Sequence, residues 1–72
     1  MISEMALAKI EADVVVVLMN SDLDTGRVLP QWECDMTGAA LQVFAAQQAL
    51  IFAEHCGGGF VDYQIFDFRT PA

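Results

Sequence analysis

The run of six apolar residues at positions 14–19 constrains the fold of this chain more than any other segment. Four consecutive valines, Leu18 and Met19 place apolar side chains on both faces of an extended strand. A strand that is apolar on both faces belongs in the centre of a sheet. We therefore predict a central strand at residues 14–20, with the second sheet face covered by the N-terminal segment or by another protein molecule.

Two more strands are expected to flank this one. Residues 27–33 follow a turn-rich stretch and predict an antiparallel strand joined to the first by a short hairpin. Pro30 places that strand on a sheet edge, because proline has no N–H to donate. Residues 60–69 are aromatic and β-branched, and Pro71 ends them, so they predict the third strand.

Two helices are predicted around these strands. Residues 36–55 are rich in Ala, Leu, Gln and Phe, and we expect a long helix that begins at Asp35 as its N-cap and ends at Gly57 as its C′ residue. A short helix at residues 4–11 is predicted after Ser3, a typical N-cap residue.

The predicted order is α-β-β-α-β within one domain of 72 residues. The third strand runs parallel to the second but pairs antiparallel with the first, since a helix connects the last two strands. The sequence therefore predicts a small α+β domain with a three-stranded antiparallel sheet of order 2-1-3, packed on one long helix.

Charge excludes several classes of function. The chain has 3 Lys+Arg against 10 Asp+Glu, a net charge of −7, while 56% of its residues are hydrophobic. Binding to phosphates or to anionic membranes relies on clustered Lys and Arg, so we expect no direct nucleic-acid or membrane contact. The N-terminus has no basic region typical of a signal peptide, and we expect a cytoplasmic protein.

No residue pattern indicates catalysis, a cofactor or a metal. Cys34 and Cys56 have neither disulfide-framework nor zinc-ligand spacing, and reduced thiols are expected. Neighbouring His55 and Cys56 point about 100° apart on a helix, which disfavours a nucleophile and its base. The pair Asp22 and Asp24 is similar to the start of a calcium loop, but Arg27 stands where that loop requires glycine, so a hairpin turn is favoured.

Acidic side chains are expected to gather at the two ends of the hairpin. The first strand begins where the second ends, which brings carboxylates to that end of the sheet, while the turn carries others at the opposite end. They are interpreted either as a docking surface for a basic partner or as an ordinary solvated surface. The candidate partner-binding residues are Glu11, Asp13, Asp22, Asp24, Glu33 and Asp35.

Two features are candidates for self-association. The long helix carries a face of small residues, interpreted either as a close-packing interface or as an Ala-rich solvent face. The last strand has an unpaired edge that recruits strands unless Asp62 and Asp67 protect it. The candidate self-association residues are Ala45, Ala49, Ala53, Phe60, Tyr63 and Phe66.

These observations favour a non-enzymatic acidic interaction protein. Its partner would present a basic surface, and a concrete form is an inhibitor that covers a nucleic-acid-binding site, as phage anti-CRISPR proteins do. The alternative is a structural or assembly subunit that associates only with itself, for example as a homodimer.

Overall fold

Three antiparallel strands and one helix make up residues 12–69, which are the residues that the computed structural model describes. They follow the order β1 (Val14–Asn20), β2 (Thr25–Gln31), α1 (Gly38–Cys56) and β3 (Val61–Asp67). The sheet order is β2-β1-β3, and both pairings are antiparallel. The α+β class, the sheet order and the central strand are therefore confirmed, whereas the helix expected at residues 4–11 lies outside the described residues.

Strand β1 forms the core on both of its faces. Val16 and Leu18 are buried against α1. Val15 and Val17 are buried on the opposite face, where Phe66 packs beside them. The two-sided apolar pattern of this strand thus corresponds to two-sided burial.

Strand β2 begins and ends two residues earlier than the predicted 27–33. The turn needs only residues 21–24, because Asn20 and Thr25 already face each other in the ladder. Asp24 takes the left-handed conformation, with φ of 49°, that a tight turn favours. Glu33 also has a positive φ, 50°, which lies outside the extended conformation of a strand and is consistent with the earlier end.

Pro30 lies on an edge strand, as predicted, and its position blocks that edge. The Phe68 N–H donates to the Asp13 carbonyl, so Asp13 bonds to the β3 side of the sheet. Every second residue of a central strand bonds to the same neighbour, and Val15 therefore also bonds to β3. Pro30 faces Val15 across β2 and β1. Because Val15 does not bond to β2, an N–H at position 30 would point away from β1, toward the outer edge of the sheet. Proline at this position therefore costs no hydrogen bond between β1 and β2.

The helix starts two residues later than predicted and uses a different N-cap. Thr37, not Asp35, caps α1, and its Oγ1 accepts a hydrogen bond from the Ala40 N–H at 3.3 Å. The carbonyls of Cys34 and Met36 accept hydrogen bonds from Arg69, which holds this segment outside the helix. A hydroxyl at the next available position then serves as the cap.

The C-terminus of α1 confirms the role predicted for Gly57. This residue has φ of 82°, and its N–H donates to the Glu54 carbonyl at 3.1 Å. The Gly58 N–H donates to the Ala53 carbonyl at 2.9 Å, which completes a Schellman motif. The chain leaves the helix here and enters β3.

Two of the alanines named as self-association candidates pack on the sheet of their own chain. Ala45 and Ala49 are buried against β1 together with Leu41 and Phe52. Small side chains allow the helix to approach a strand that already carries bulky valines. Ala45 is consequently not available to a second molecule and Ala49 keeps only a small exposed part, whereas Val43 and Leu50 are exposed.

Gly59 allows α1 and the hairpin to meet, and we predict that Gly59→Ala lowers the free energy of unfolding by about 1–3 kcal/mol. A Cβ there would lie 2.5 Å from the Asn20 Oδ1, and the φ of +95° strains any L side chain. The matched control is Gly38→Ala, where a Cβ meets open space in the first turn of α1. Urea unfolding should show Gly38→Ala equal to or above the wild type; equal stability of both variants would contradict the prediction.

Candidate functional site

The turn end of the sheet comprises Asn20, Asp22 and Asp24 with the backbone of Gly58 and Phe60. Asn20 is fully buried; its Nδ2 donates to the Gly58 carbonyl at 3.0 Å and its Oδ1 accepts from the Leu23 N–H at 3.2 Å. Asp22 Oδ2 accepts the Phe60 N–H at 2.6 Å. The bonds to Gly58 and to Phe60 join segments 38 residues apart in the chain, and the second of them fixes the Asp22 carboxylate at the surface.

The opposite end, which we call the Asp13 end, carries Asp13, Glu33, Asp35, Asp67 and Arg69. The Asp13 N–H donates to the Gln31 carbonyl at 3.0 Å, and Asp13 Oδ2 accepts the Cys34 N–H at 3.1 Å. Glu33 and Asp35 flank Cys34, so the structure brings them into the same loop as Asp13. Both are exposed.

Arg69 connects the end of β3 to this loop. Its Nη1 donates to the carbonyls of Cys34 at 3.2 Å and Met36 at 2.8 Å. Its Nε and Nη2 bind both carboxylate oxygens of Asp67, at 3.0 and 2.8 Å. Strand β3 begins one residue later and ends two residues earlier than the predicted 60–69. Arg69, just beyond the strand, neutralises one of the carboxylates at this end.

The same ion pair shifts two pKa values. The hydrogen bonds from the Arg69 side chain and backbone lower the pKa of Asp67 from 3.8 to about 2. The bond to Asp67 in turn raises the pKa of Arg69 above its ordinary value. Both groups are partly exposed, so the pair orients the end of β3 rather than contributing a large stabilisation.

Five of the six candidate partner-binding carboxylates thus fall into two separate groups. Asp22 and Asp24 lie at the turn end, and Asp13, Glu33 and Asp35 lie at the Asp13 end. A seven-residue strand separates the groups by roughly 23 Å. The sixth, Glu11, lies outside the described residues.

Both arginines in the described part of the chain already have partners. Arg27 on β2 lies over the Phe52 ring, 4.8 Å from its centroid, and Arg69 binds Asp67. The Asp67–Arg69 contact is the one ion pair within residues 12–69. Within residues 12–69 the remaining carboxylates have no ion-pair partner, and they give both ends a negative field.

Chemistry-bearing residues are not grouped elsewhere in the described part. Cys34 and Cys56 are both free thiols. Among residues 12–69, no three His, Cys, Asp or Glu side chains lie close enough to hold a metal ion. No helix in that range combines the length and the apolar character needed to cross a membrane.

A second surface, which we call the β3 flank, consists of the outer edge of β3, Phe60 and the adjacent side of α1. Tyr63 Oη donates to the Gln42 Oε1 at 2.8 Å, which ties the strand to the helix. A groove of about 360 Å³ runs along this boundary. It is lined by Ala46, Ala49, Leu50, Ala53, Gly59, Phe60 and Val61.

The self-association residues predicted from the sequence are only partly on this flank. Ala53 and Phe60 line the groove, and Tyr63 faces α1. Phe66 lies on the opposite sheet face, where its ring stacks on Phe68 with centroids 6.4 Å apart. Leu50 was not among the predicted residues, although it is 70% exposed at the rim of the groove.

Comparison of the chain with protein-family models, curated proteins and solved structures found no match. The surfaces described above are therefore the basis for the function proposed below.

The Asp67–Arg69 pair predicts a specific acid sensitivity. Asp67 binds fewer protons in the folded than in the unfolded state between pH 3.8 and about 2, so its stabilising contribution is lost as pH falls through this window. Arg69→Ala should return the pKa of Asp67 part of the way toward its ordinary value and reduce this contribution, because the backbone N–H of residue 69 still donates to Asp67. NMR titration of the carboxyl carbon measures it.

Arg27→Ala serves as the control for that titration, because Arg27 contacts Phe52 and not Asp67. It should leave the pKa of Asp67 near 2. A pKa that stays near 2 in Arg69→Ala would show that another group lowers it.

Proposed function

We propose that this chain is a non-enzymatic protein-interaction domain whose acidic ends dock on a basic surface of a partner protein. The observation that carries the proposal is the uncompensated charge of the two ends. Exposed Asp24, Glu33 and Asp35 have no ion-pair partner within residues 12–69, whereas both arginines of that range are engaged. A negative potential of this kind accelerates association with a positively charged surface and selects for it.

The geometry supports docking because two of the carboxylates are held in place before any partner binds. Asp13 and Asp22 each accept a backbone N–H, from Cys34 and from Phe60. Side chains that are already ordered lose little conformational entropy on binding. The second oxygen of each carboxylate, Oδ1, makes no hydrogen bond within residues 12–69. It can accept a hydrogen bond from Lys or Arg of a partner.

The more specific form of the proposal is an inhibitor. A surface that binds nucleic acid is rich in Lys and Arg, and it is a common basic surface inside cells. An acidic domain that covers such a surface competes with the nucleic acid, as anti-CRISPR proteins of phages do. The net charge of −7 and the two exposed acidic ends support this form.

Affinity capture from an extract of the source cell, with elution in steps of increasing salt, tests the proposal. A basic nucleic-acid-binding protein released at moderate salt, and displaced by added nucleic acid, is the expected result. Screening weakens contacts between exposed charges, since the Debye length shrinks from about 10 Å at 0.1 M to about 3 Å at 1 M salt. A partner that stays bound at high salt would contradict acidic docking.

Single charge reversals then locate the docking surface. We predict that Asp35→Lys and Asp24→Lys each weaken binding to the captured partner by about tenfold, or about 1.4 kcal/mol, because each places a cation against a basic surface. Gln47→Lys is the control: it introduces the same lysine at an exposed position in the middle of α1, away from both ends. Titration calorimetry measures all three.

If all three variants weaken binding equally, the total charge rather than the acidic ends drives association. If none changes it, the partner binds another surface. Asp13 and Asp22 are left unchanged in this series, because their backbone hydrogen bonds would confound docking with folding.

A further inference from the structure

The outer edge of β3 is open within the described residues. The Phe68 N–H bonds to Asp13, and hydrogen bonding alternates along the ladder, so the N–H and C=O groups of Val61, Tyr63 and Ile65 point away from β1. Pro30 blocks the other edge of the sheet, but β3 has no proline. An open edge of this kind pairs with another strand.

Few charged side chains protect this edge from pairing with another strand. Asp67 is neutralised by Arg69 at 2.8 Å. Asp62 remains, near one end of the strand. A single charge near the end is less protective than one at the centre, where the exposed residue is the neutral Gln64.

The helix beside this edge presents an apolar stripe on the same side. Its members recur at alternating spacings of four and three residues, the spacing of a helix-packing seam. They are Ala39, Val43, Ala46, Leu50 and Ala53. Leu50 and Val43 are 70% and 58% exposed, and Phe60 at the end of the groove is 64% exposed. Edge and stripe together form one continuous surface.

We propose that the β3 flank binds the β3 flank of a second copy of this chain, forming a two-fold dimer. When the two-fold axis passes beside Gln64, the central residue of β3, all seven residues of this strand pair with β3 of the second copy. Gln64 then faces Gln64 of the second copy, and Tyr63 faces Ile65 of the second copy. The two sheets join into one of six strands through roughly eight backbone hydrogen bonds. This partner and surface differ from those of the proposed acidic docking.

The helices fit the same arrangement. Helix α1 packs on β1 and β3, through Val16 and Leu18 on one strand and Tyr63 and Ile65 on the other. Strands in a sheet are about 4.8 Å apart, so two copies related by the axis would have helices roughly 10 Å apart. That is the separation of packed helices, and the alanines of the stripe allow it.

Size favours a second copy as the occupant, and the pairing register limits charge repulsion. The flank is about 23 Å long and about 20 Å deep, since the sheet and the helix each form a layer of about 10 Å. Two copies would therefore bury on the order of 1,000 Å² in total, which is the lower limit for a specific interface. Antiparallel pairing also sets Asp62 of one copy opposite Phe66 of the other, which keeps the two Asp62 carboxylates roughly 13 Å apart. A dimer with a dissociation constant in the micromolar range is expected.

A charge swap at the axis tests the dimer. In Gln64→Glu and in Gln64→Lys, like charges face each other across the axis, and each variant alone should dimerise about fivefold more weakly than the wild type. An equimolar mixture pairs opposite charges and should restore the dimer. Sedimentation velocity measures each sample. Gln64 is exposed and its side chain makes no hydrogen bond within residues 12–69, so both variants should fold.

Thr25→Glu and Thr25→Lys are the matched controls, on the exposed start of the opposite edge strand, and should dimerise like the wild type. The dimer should strengthen at ~1 M salt, which screens the −7 charge of each copy, whereas acidic docking should weaken. The two proposals can therefore fail separately. A wild type that is monomeric at ~1 mM, or Gln64 variants that dimerise alone as well as in mixture, would overturn the dimer.

Discussion

The burial of β1 on both faces is the constraint on which the rest of the structure depends. Val14, Val15 and Val16 are fully buried, and the strand pairs with a neighbour on each side. Because the central strand carries bulky side chains on both faces, the helix packs on it through small residues. Ala45 and Ala49 make that contact. The bulky Leu50 and Val43 are consequently left on the outer side of α1, where they create the stripe of the β3 flank.

The ends of the sheet are held by contacts between residues distant in the chain, and these contacts shape both candidate surfaces. Asn20 and Asp22 bind the segment between α1 and β3, while Arg69 binds the loop before α1. One candidate carboxylate at each end, Asp22 at one and Asp13 at the other, is therefore held in place by hydrogen bonds of the fold itself. The acidic ends and the apolar flank are separate surfaces, so one molecule can dock on a basic partner and pair with a second copy.

The elements that the sequence predicted well are those with local signals. The valine run placed β1 to the residue, and Gly57 ended α1 because only glycine takes the left-handed C′ conformation easily. The N-cap was wrong because Asp35 and Thr37 are comparable caps locally, and the choice depends on Arg69, more than 30 residues away. The sequence left the role of the alanines in α1 open, since alanines suit a solvent face and a tightly packed face equally, and contacts with β1 decide it for Ala45 and Ala49. The candidate carboxylates reached the expected ends through strand pairing, but nothing local indicated that Asp13 and Asp22 would accept backbone hydrogen bonds.

Amide hydrogen exchange of the dilute protein tests the central role of β1 most directly. The account predicts that the amides of Val14–Asn20 exchange slowest as a group, because alternate residues bond to β2 and β3 and all are shielded. In β3, Asp62, Gln64 and Phe66 should be protected, while Val61, Tyr63 and Ile65 exchange fast at the open edge. If the β1 amides exchange as fast as these edge amides, β1 is not the central strand and the account is wrong.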